Sequence, residues 1–259
     1  MLVATFNCNS IRSRMETILA WLAEKQPDVL CLQETKVQDH EFPAQPIRNA
    51  GYHVAFKGQK SYNGVAILSR NEPQDVRFGL DDGGQADEPR LVSAVVDGVT
   101  IVNTYVPQGR ELDHEMFQYK LAWFKRLRAQ FDRKFKPSDL LIWTGDLNVA
   151  AEAIDVHNAE ERENHVCYHI DARKAFADCR AWGFVDVFRK YHPEPGHYTF
   201  FDYRTVFAAK RGLGWRIDYI LASPALAEKS KAAWIDVEPR LKPKASDHTF
   251  LAAEFDIGV

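Results

Sequence analysis

Several short apolar runs in this sequence stop abruptly at a polar residue, and this pattern constrains the fold more than any other feature. Residues 2–6 end at Asn7, and residues 29–32 end at Gln33-Glu34. Residues 101–105 lead into Pro107-Gln108, and residues 140–143 end at Gly145-Asp146-Leu147-Asn148. Further runs rich in Val, Ile and aromatics cover 52–56, 64–68, 90–96, 215–222 and 248–255, and each reads as a strand. Helical periodicity lies between some of them. Met15, Ile18, Leu19 and Leu22 recur at helix spacing behind a capping box of Ser13 and Glu16. Phe117, Leu121, Phe124, Leu127 and Phe131 form a stripe with Asp113 as its expected N-cap, and residues 172–182 make a third helix. Residues 81–84 and 193–196 read as turns. Many strands with fewer helices in mixed order imply packed sheets covered by helices. If the strands align, their polar ends form one mouth over an apolar scaffold.

The chain has no repeat, low-complexity tract or Gly/Ser linker, which favours one domain over residues 1–259. No apolar run approaches the ~18 residues of a membrane span, and the start lacks the basic region of a signal peptide. The cysteines at 8, 31, 167 and 179 match neither a zinc pattern nor a redox pair, so reduced thiols and a cytoplasmic location are expected. Cys8 and Cys31 read as small buried hydrophobes. The net charge of −3 argues against DNA binding through global positive charge but leaves room for a local basic face. Lys57, Lys60, Arg110, Lys210, Arg211 and Arg216 are its candidates, whereas Arg126, Arg128, Arg133, Lys134 and Lys136 read as a solvated helix end. His157, His165, His169, His192 and His197 read as ordinary polar residues. Only His165 and His169 have helix-face spacing, and they lie in a polar loop. Trp182 and Phe184 read as core.

The polar strand ends carry the parts that phosphodiester hydrolysis needs: a cation site, a base for water, and donors for the developing charge. Glu34 after its strand is either a surface carboxylate or a ligand for a hard cation. Asp146 and Asn148 are either an Asx turn or a carboxylate and amide aimed at one site. Asp218, in an apolar strand, needs a partner: the imidazole of His248 in Ser246-Asp247-His248, or the guanidinium of Arg216.

Taken together, the motifs resemble the exonuclease III family of AP endonucleases in the endonuclease/exonuclease/phosphatase superfamily. The segments are Thr5-Phe6-Asn7-Cys8-Asn9, Leu32-Gln33-Glu34-Thr35-Lys36, Asn63-Gly64-Val65-Ala66-Ile67-Leu68-Ser69 and Asn103-Thr104-Tyr105-Val106-Pro107-Gln108-Gly109. Gly145-Asp146-Leu147-Asn148, Tyr198-Thr199-Phe200-Phe201-Asp202-Tyr203, Gly214-Trp215-Arg216-Ile217-Asp218-Tyr219 and Ser246-Asp247-His248 follow in family order. Ser10 stands where many relatives carry Gly. The resemblance implies an α/β four-layer sandwich, with two packed mixed β-sheets flanked by helices. It implies Mg²⁺ or Mn²⁺ at Glu34, with Asp247 and Asn9 nearby. It assigns phosphate and transition-state contacts to Asn7, Tyr105, Asn148 and His248, water activation to Asp146, and orientation of His248 to Asp218. Phe200, Phe201, Trp215 and Ile217 would form an apolar pocket for a flipped baseless sugar. Gln108, Arg110 and Tyr203 would meet the duplex. The implied partner is double-stranded DNA with abasic or 3′-blocked sites, cut by a monomer with no membrane association. Trimming of 3′ ends and 3′→5′ exonuclease activity would accompany incision. The alternatives are a phosphatase or phosphodiesterase of the same superfamily acting on a non-DNA substrate, and a catalytically weak DNA-binding module.

Overall fold

The computed structural model describes residues 1–83 and 88–257. The expected turn at 81–84 therefore has its last residue outside the described set. Among the described residues, twelve strands pair into two sheets. They are β1 (Leu2–Asn7), β2 (Val29–Gln33), β3 (His53–Lys57), β4 (Val65–Ser69), β5 (Gln74–Phe78), β6 (Leu91–Val96), β7 (Val99–Tyr105), β8 (Leu141–Asp146), β9 (Val185–Asp186), β10 (Asp218–Ala222), β11 (Ser230–Asp236) and β12 (Phe250–Phe255). The helices are α1 (Ile11–Lys25), α2 (Ala44–Asn49), α3 (Glu115–Lys134), α4 (Ile170–Arg180), α5 (Val187–Tyr191), α6 (Pro224–Ala227) and α7 (Glu238–Leu241). One sheet runs β11-β12-β1-β2-β4-β3 and the other β5-β6-β7-β8-β10-β9. Both are mixed: β1 with β2 and β7 with β8 pair parallel, and the other pairings are antiparallel.

Three apolar layers bind the four structural ones. Val3, Val29, Cys31 and Ile67 of the first sheet meet Val92, Ile101, Ile142 and Ile220 of the second. Ile18, Trp21 and Leu22 of α1, with Ile47 of α2, cover the first sheet's outer face. Phe117, Trp123, Phe124 and Leu127 of α3, with Phe176 of α4, cover the second. Central strands are therefore buried on both faces, which is why they read as continuous apolar runs rather than alternating ones. A polar bridge crosses the layer between the sheets. The Gln33 amide donates to Thr5 Oγ1 at 2.9 Å and to Asn103 Oδ1 at 2.7 Å, and the Asn103 amide donates to the carbonyls of Leu32 and Ala66. It fixes how the two sheets sit together, because a sliding register would leave these buried groups unpaired.

The structure corrects several local expectations. Helix α1 starts at Ile11 after Ser10, so Ser13 lies inside it and forms no capping box. His114, not Asp113, caps α3, its Nδ1 accepting from the Met116 N–H at 3.0 Å. The strand expected over 215–222 begins only at Asp218, because the N–H groups of Trp215, Arg216 and Ile217 donate to Phe200, Asp155 and Thr199 rather than to β8. The strands β5, β9 and β11 carried no usable signal: β5 is exposed throughout, β9 has two residues, and β11 is an edge strand weak in alternation.

Candidate active site

Parallel pairing places the ends of β1, β2, β7 and β8 together. Asn7 is in register with Gln33, beside Glu34, and Tyr105 with Asp146. Antiparallel β10 brings Asp218 opposite Asp146. The chain then leaves these ends in unusual conformations: Asn9, Ser10, Glu34, Lys36 and Asn148 all have positive φ. Such backbone costs energy in residues other than glycine, and its concentration at one end marks a site the surrounding fold must enforce. Gly145 enforces part of it. Its φ is 129°, and a Cβ there would lie 2.0 Å from the Thr104 carbonyl oxygen, so only glycine lets β7 and β8 close up beneath Asp146.

Three buried side chains form a line. His248 Nδ1 is 2.8 Å from Asp218 Oδ2, and its Nε2 faces Asp146 Oδ2 at 3.7 Å. Asp218 thus pairs with His248 rather than with Arg216, which instead binds Asp155 at 2.7 Å and Asp186 at 2.8 Å in a separate buried network. That burial removes Arg216 from any basic face. Burial disfavours the charged imidazole of His248, but Asp218, Asp146 and Asp247 outweigh it and raise the pKa. For Asp146 burial acts first and upward, and repulsion from Asp218 and Glu34 adds to it against the attraction of His248. The proton in this pair therefore resides on the imidazole, between two carboxylates.

A second hydrogen-bonded line joins this one to the strand ends. The Asn7 amide donates to Asp146 Oδ2 at 2.9 Å and to Glu34 Oε1 at 2.8 Å. Lys36 Nζ lies 2.7 Å from Glu34 Oε2 and donates to Asn9 Oδ1 at 2.6 Å, and the Asn9 amide donates to Asp247 Oδ1 at 3.0 Å. Lys36 is a member of this network that strand-end reasoning passed over; its place two residues after Glu34 was the available signal. Burial opposes the charge on Glu34, but Lys36 and Asn7 prevail and lower its pKa. Tyr105 stands beside these carboxylates, its pKa raised by burial, Glu34 and Asp146, so it stays a neutral donor. The guanidinium of Arg90 lies 4.9 Å over its ring.

Asp146 and Asn148 satisfy both sequence readings. The Asn148 N–H donates to Asp146 Oδ1 at 2.9 Å, an Asx turn, and both residues also line the cleft. Lys120, fully buried on α3, was also missed. Its ammonium donates to the carbonyls of Asn148 at 2.7 Å, Val166 at 2.8 Å and Gln108 at 3.1 Å. It ties three cleft loops to one helix. Burial lowers its pKa, against Cys167 and Asp146. The Lys120→Met variant keeps the side chain's bulk but leaves three carbonyls without a donor, so about 2 kcal/mol of stability should go. Turnover should fall ~10-fold or more as Asn148 loosens, because small misplacement is costly in catalysis. Denaturant melts and single-turnover kinetics read both effects; unchanged turnover would remove Lys120 from the positioning apparatus.

The cleft has a volume of about 460 Å³. Glu34, Tyr105, Gln108, Asp146, Asn148, Asp247 and His248 line it, with Phe200, Trp215 and Ile217 as its apolar side. His157, Arg162, His165, Cys167, Asp202, Arg204, Thr205 and Leu213 complete the wall and were not anticipated there. His165 packs against Trp215 with ring centroids 4.6 Å apart, and burial, Lys120 and Arg162 lower its pKa to about 4, so it is neutral near pH 7. One expected pocket residue, Phe201, lies elsewhere, and two residues expected to meet the duplex, Tyr203 and Arg110, sit outside the cleft wall. Phe201 points into a small cluster with Tyr198 and Ala208, because successive side chains around the Phe200 bridge face opposite ways. Tyr203 is half-exposed and hydrogen-bonded to Arg14 and to the Ala245 carbonyl. Arg110 is exposed beside the cleft, its N–H donating to Gln108 Oε1.

The donor set suits a hard cation. Glu34 and Asp247 offer carboxylate oxygen, and Asn9 an amide oxygen. The adjacent Cys8 thiol is pushed up in pKa, first by burial and then by Glu34, and donates to the Gln33 carbonyl, so it offers no soft ligand.

The chain has relatives among known proteins. Residues 4–248 match the model of the Endonuclease/Exonuclease/phosphatase family. The chain is 33% identical to exodeoxyribonuclease III of Haemophilus influenzae, over 97% of this chain and 98% of that one. An AP endonuclease from Archaeoglobus fulgidus superposes with a TM-score of 0.97 at 50% identity, covering 99% of this chain and 100% of the other. A 3′ phosphatase from Neisseria bound to a product DNA hairpin gives 0.94 at 38% identity, with 99% and 100% covered. The chain therefore belongs to the endonuclease/exonuclease/phosphatase family, as a nuclease of the exonuclease III type of AP endonuclease.

Proposed function

We propose that the chain hydrolyses duplex DNA 5′ to abasic sites with Mg²⁺, leaving a 3′-OH and a 5′-deoxyribose phosphate. One observation carries this reading: the Asp218–His248–Asp146 line opens beside Glu34 into a cleft whose other side is Phe200, Trp215 and Ile217. That apolar side accepts a sugar without its base, while a normal nucleotide would need room for the base as well. Trimming of blocked 3′ ends and 3′→5′ exonuclease activity use the same groups.

A Mg²⁺ held by Glu34 and Asp247, with Asn9 beside them, would neutralise phosphate oxygens and the leaving alkoxide. The chain's own groups do the rest. Asp146 takes the proton from the attacking water, and its raised pKa brings it nearer to working pH. His248, cationic and fixed by Asp218, donates through Nε2 to a phosphate oxygen. Asn7, Asn148 and Tyr105 supply neutral donors for the growing charge.

The test is a nicking assay on a duplex with one tetrahydrofuran abasic analogue, beside an undamaged duplex and a phosphoinositide. The abasic strand should be cut once, 5′ to the analogue. EDTA should abolish cleavage and added Mg²⁺ restore it. Cleavage that survives EDTA, or phosphoinositide hydrolysis without nicking, would overturn the proposal.

A further inference from the structure

Outside the cleft, a second group of side chains converges. A nitrogen of His192, a carboxylate oxygen of Glu194 and a nitrogen of His197 lie within 4.8 Å of one another. Sequence spacing gave no hint of this, because neither histidine pair falls on a helix face. The chain folds back between α5 and the segment leading to Phe200, and Pro193, Pro195 and Gly196 make the bend. Gly196 has a φ of 93°, open to glycine, and the two prolines limit the loop's freedom before anything binds.

The His192 ring is oriented from behind. Its Nε2 lies 2.7 Å from the carbonyl oxygen of Ala233 on β11. A carbonyl only accepts, so Nε2 carries the proton and Nδ1 of the neutral ring presents a lone pair. That lone pair faces Glu194 Oε1 at 3.5 Å. A far-side carbonyl that fixes the tautomer is the usual support of a metal-binding histidine. His197 Nε2 meets the same Glu194 oxygen at 2.7 Å. Phe188 stacks on His192 at 4.6 Å and meets His197 edge-on at 5.5 Å, so one α5 side chain contacts both rings. The three side chains are 32%, 54% and 34% exposed, which leaves an approach from solvent.

We propose that His192 Nδ1, Glu194 and His197 Nε2 form a binding site for a divalent transition ion of the Zn²⁺ class, with solvent completing its shell. Two imidazoles with one carboxylate favour such an ion over Mg²⁺. Bonds of about 2.0–2.2 Å set donor atoms of a tetrahedral ion about 3.3 Å apart, between the closest and widest separations here. Glu194 and His197 reach that spacing by side-chain rotation. Binding breaks the hydrogen bond between His197 Nε2 and Glu194 Oε1, and any proton on Nε2 leaves it for Nδ1 or for solvent. The ion would tie the end of α5 to the loop entering the cleft wall, as a staple rather than a reaction centre.

The test uses the full chain stripped of metal, with excess Mg²⁺ present to occupy the cleft. Co²⁺ is titrated in and its visible d–d bands are followed, and Zn²⁺ is then added to displace it. One tight equivalent per chain with four-coordinate bands is expected. Glu194→Gln and His197→Ala should weaken it ~10-fold or more, while Asp247→Asn leaves it intact. Zn²⁺ should raise the thermal midpoint of the unsubstituted chain but not of His197→Ala, and Mg²⁺-dependent nicking should be the same in both. Bands that persist in His197→Ala, or vanish in Asp247→Asn instead, would overturn the proposal.

Discussion

Asp146→Asn should cut turnover on an abasic duplex by ~10³-fold or more, about 4 kcal/mol in the barrier, while DNA affinity changes little. The amide has nearly the shape of the carboxylate and keeps the Oδ1 contact with the Asn148 N–H. It cannot take a proton from water. Folding should be almost unaffected, because two local effects oppose each other. Replacing a buried carboxylate whose charge is disfavoured by Asp218 and Glu34 removes a cost. Setting a new N–H₂ against the donating Asn7 amide adds one. Single-turnover nicking, equilibrium binding and a thermal melt on the same sample separate the three quantities. Cleavage at a near-normal rate would reject Asp146 as the group that activates water.

Asp218→Ala should lower turnover by ~10²–10³-fold and change its pH dependence. In the unsubstituted chain the His248 pKa is raised, so the imidazolium persists as pH rises well past the ordinary histidine range. Asp218 is the largest single cause of that rise, acting against burial. Without it burial regains weight, the pKa falls, and the cation is lost at lower pH. Residual activity in the variant should therefore decline with pH between about 6 and 8, near the free histidine value of about 6.5, where the unsubstituted enzyme shows no such decline. Stability follows the same sign. The raised pKa contributes stability that is fully present below the unfolded value and is lost as pH climbs through the folded one. NMR titration of the His248 ring reads the shift directly. A variant with unchanged turnover and an unchanged imidazole titration would sink the positioning role.

The sequence carried the strands that are buried on both faces. Residues 2–6, 29–32 and 64–68 each lie within a residue of an observed strand, because full burial writes an unbroken apolar run. It also carried α3, whose apolar stripe faces one core. It was silent on β5, where exposure removes the hydrophobic signal, and on β9, where two residues cannot form a pattern. Helix caps failed by one to three residues: Asp113 is the better cap by residue type than His114, and Ser13 lies three positions past Ser10, so only the chain's path chooses.

For the site, residue types and their order named Glu34, Asp146, Asn148, Asp218, Asp247 and His248, and the structure gathers them around one cleft. Which charge meets which was open in the residues themselves, and only the family resemblance paired Asp218 with His248. Asp218 had two partners open to it, and Arg216 was both one of them and a candidate for a basic face. The fold gave His248 to Asp218 and sent Arg216 inward to Asp155 and Asp186. Likewise Phe200 and Phe201 look alike in sequence, and only the bridge at Phe200 decides which ring lines the cleft.

By itself, then, the sequence determined which segments are buried and which residue types wait at their ends, because burial and strand period are properties of neighbours along the chain. The tertiary structure alone decided the other pairings: Asn7 with Asp146 across 139 positions, Arg216 with Asp155 across 61, and Lys120 with three loops. Hydrogen bonds and charges act over a few ångströms, so they depend on how strands register and sheets stack, which no local pattern of residues specifies.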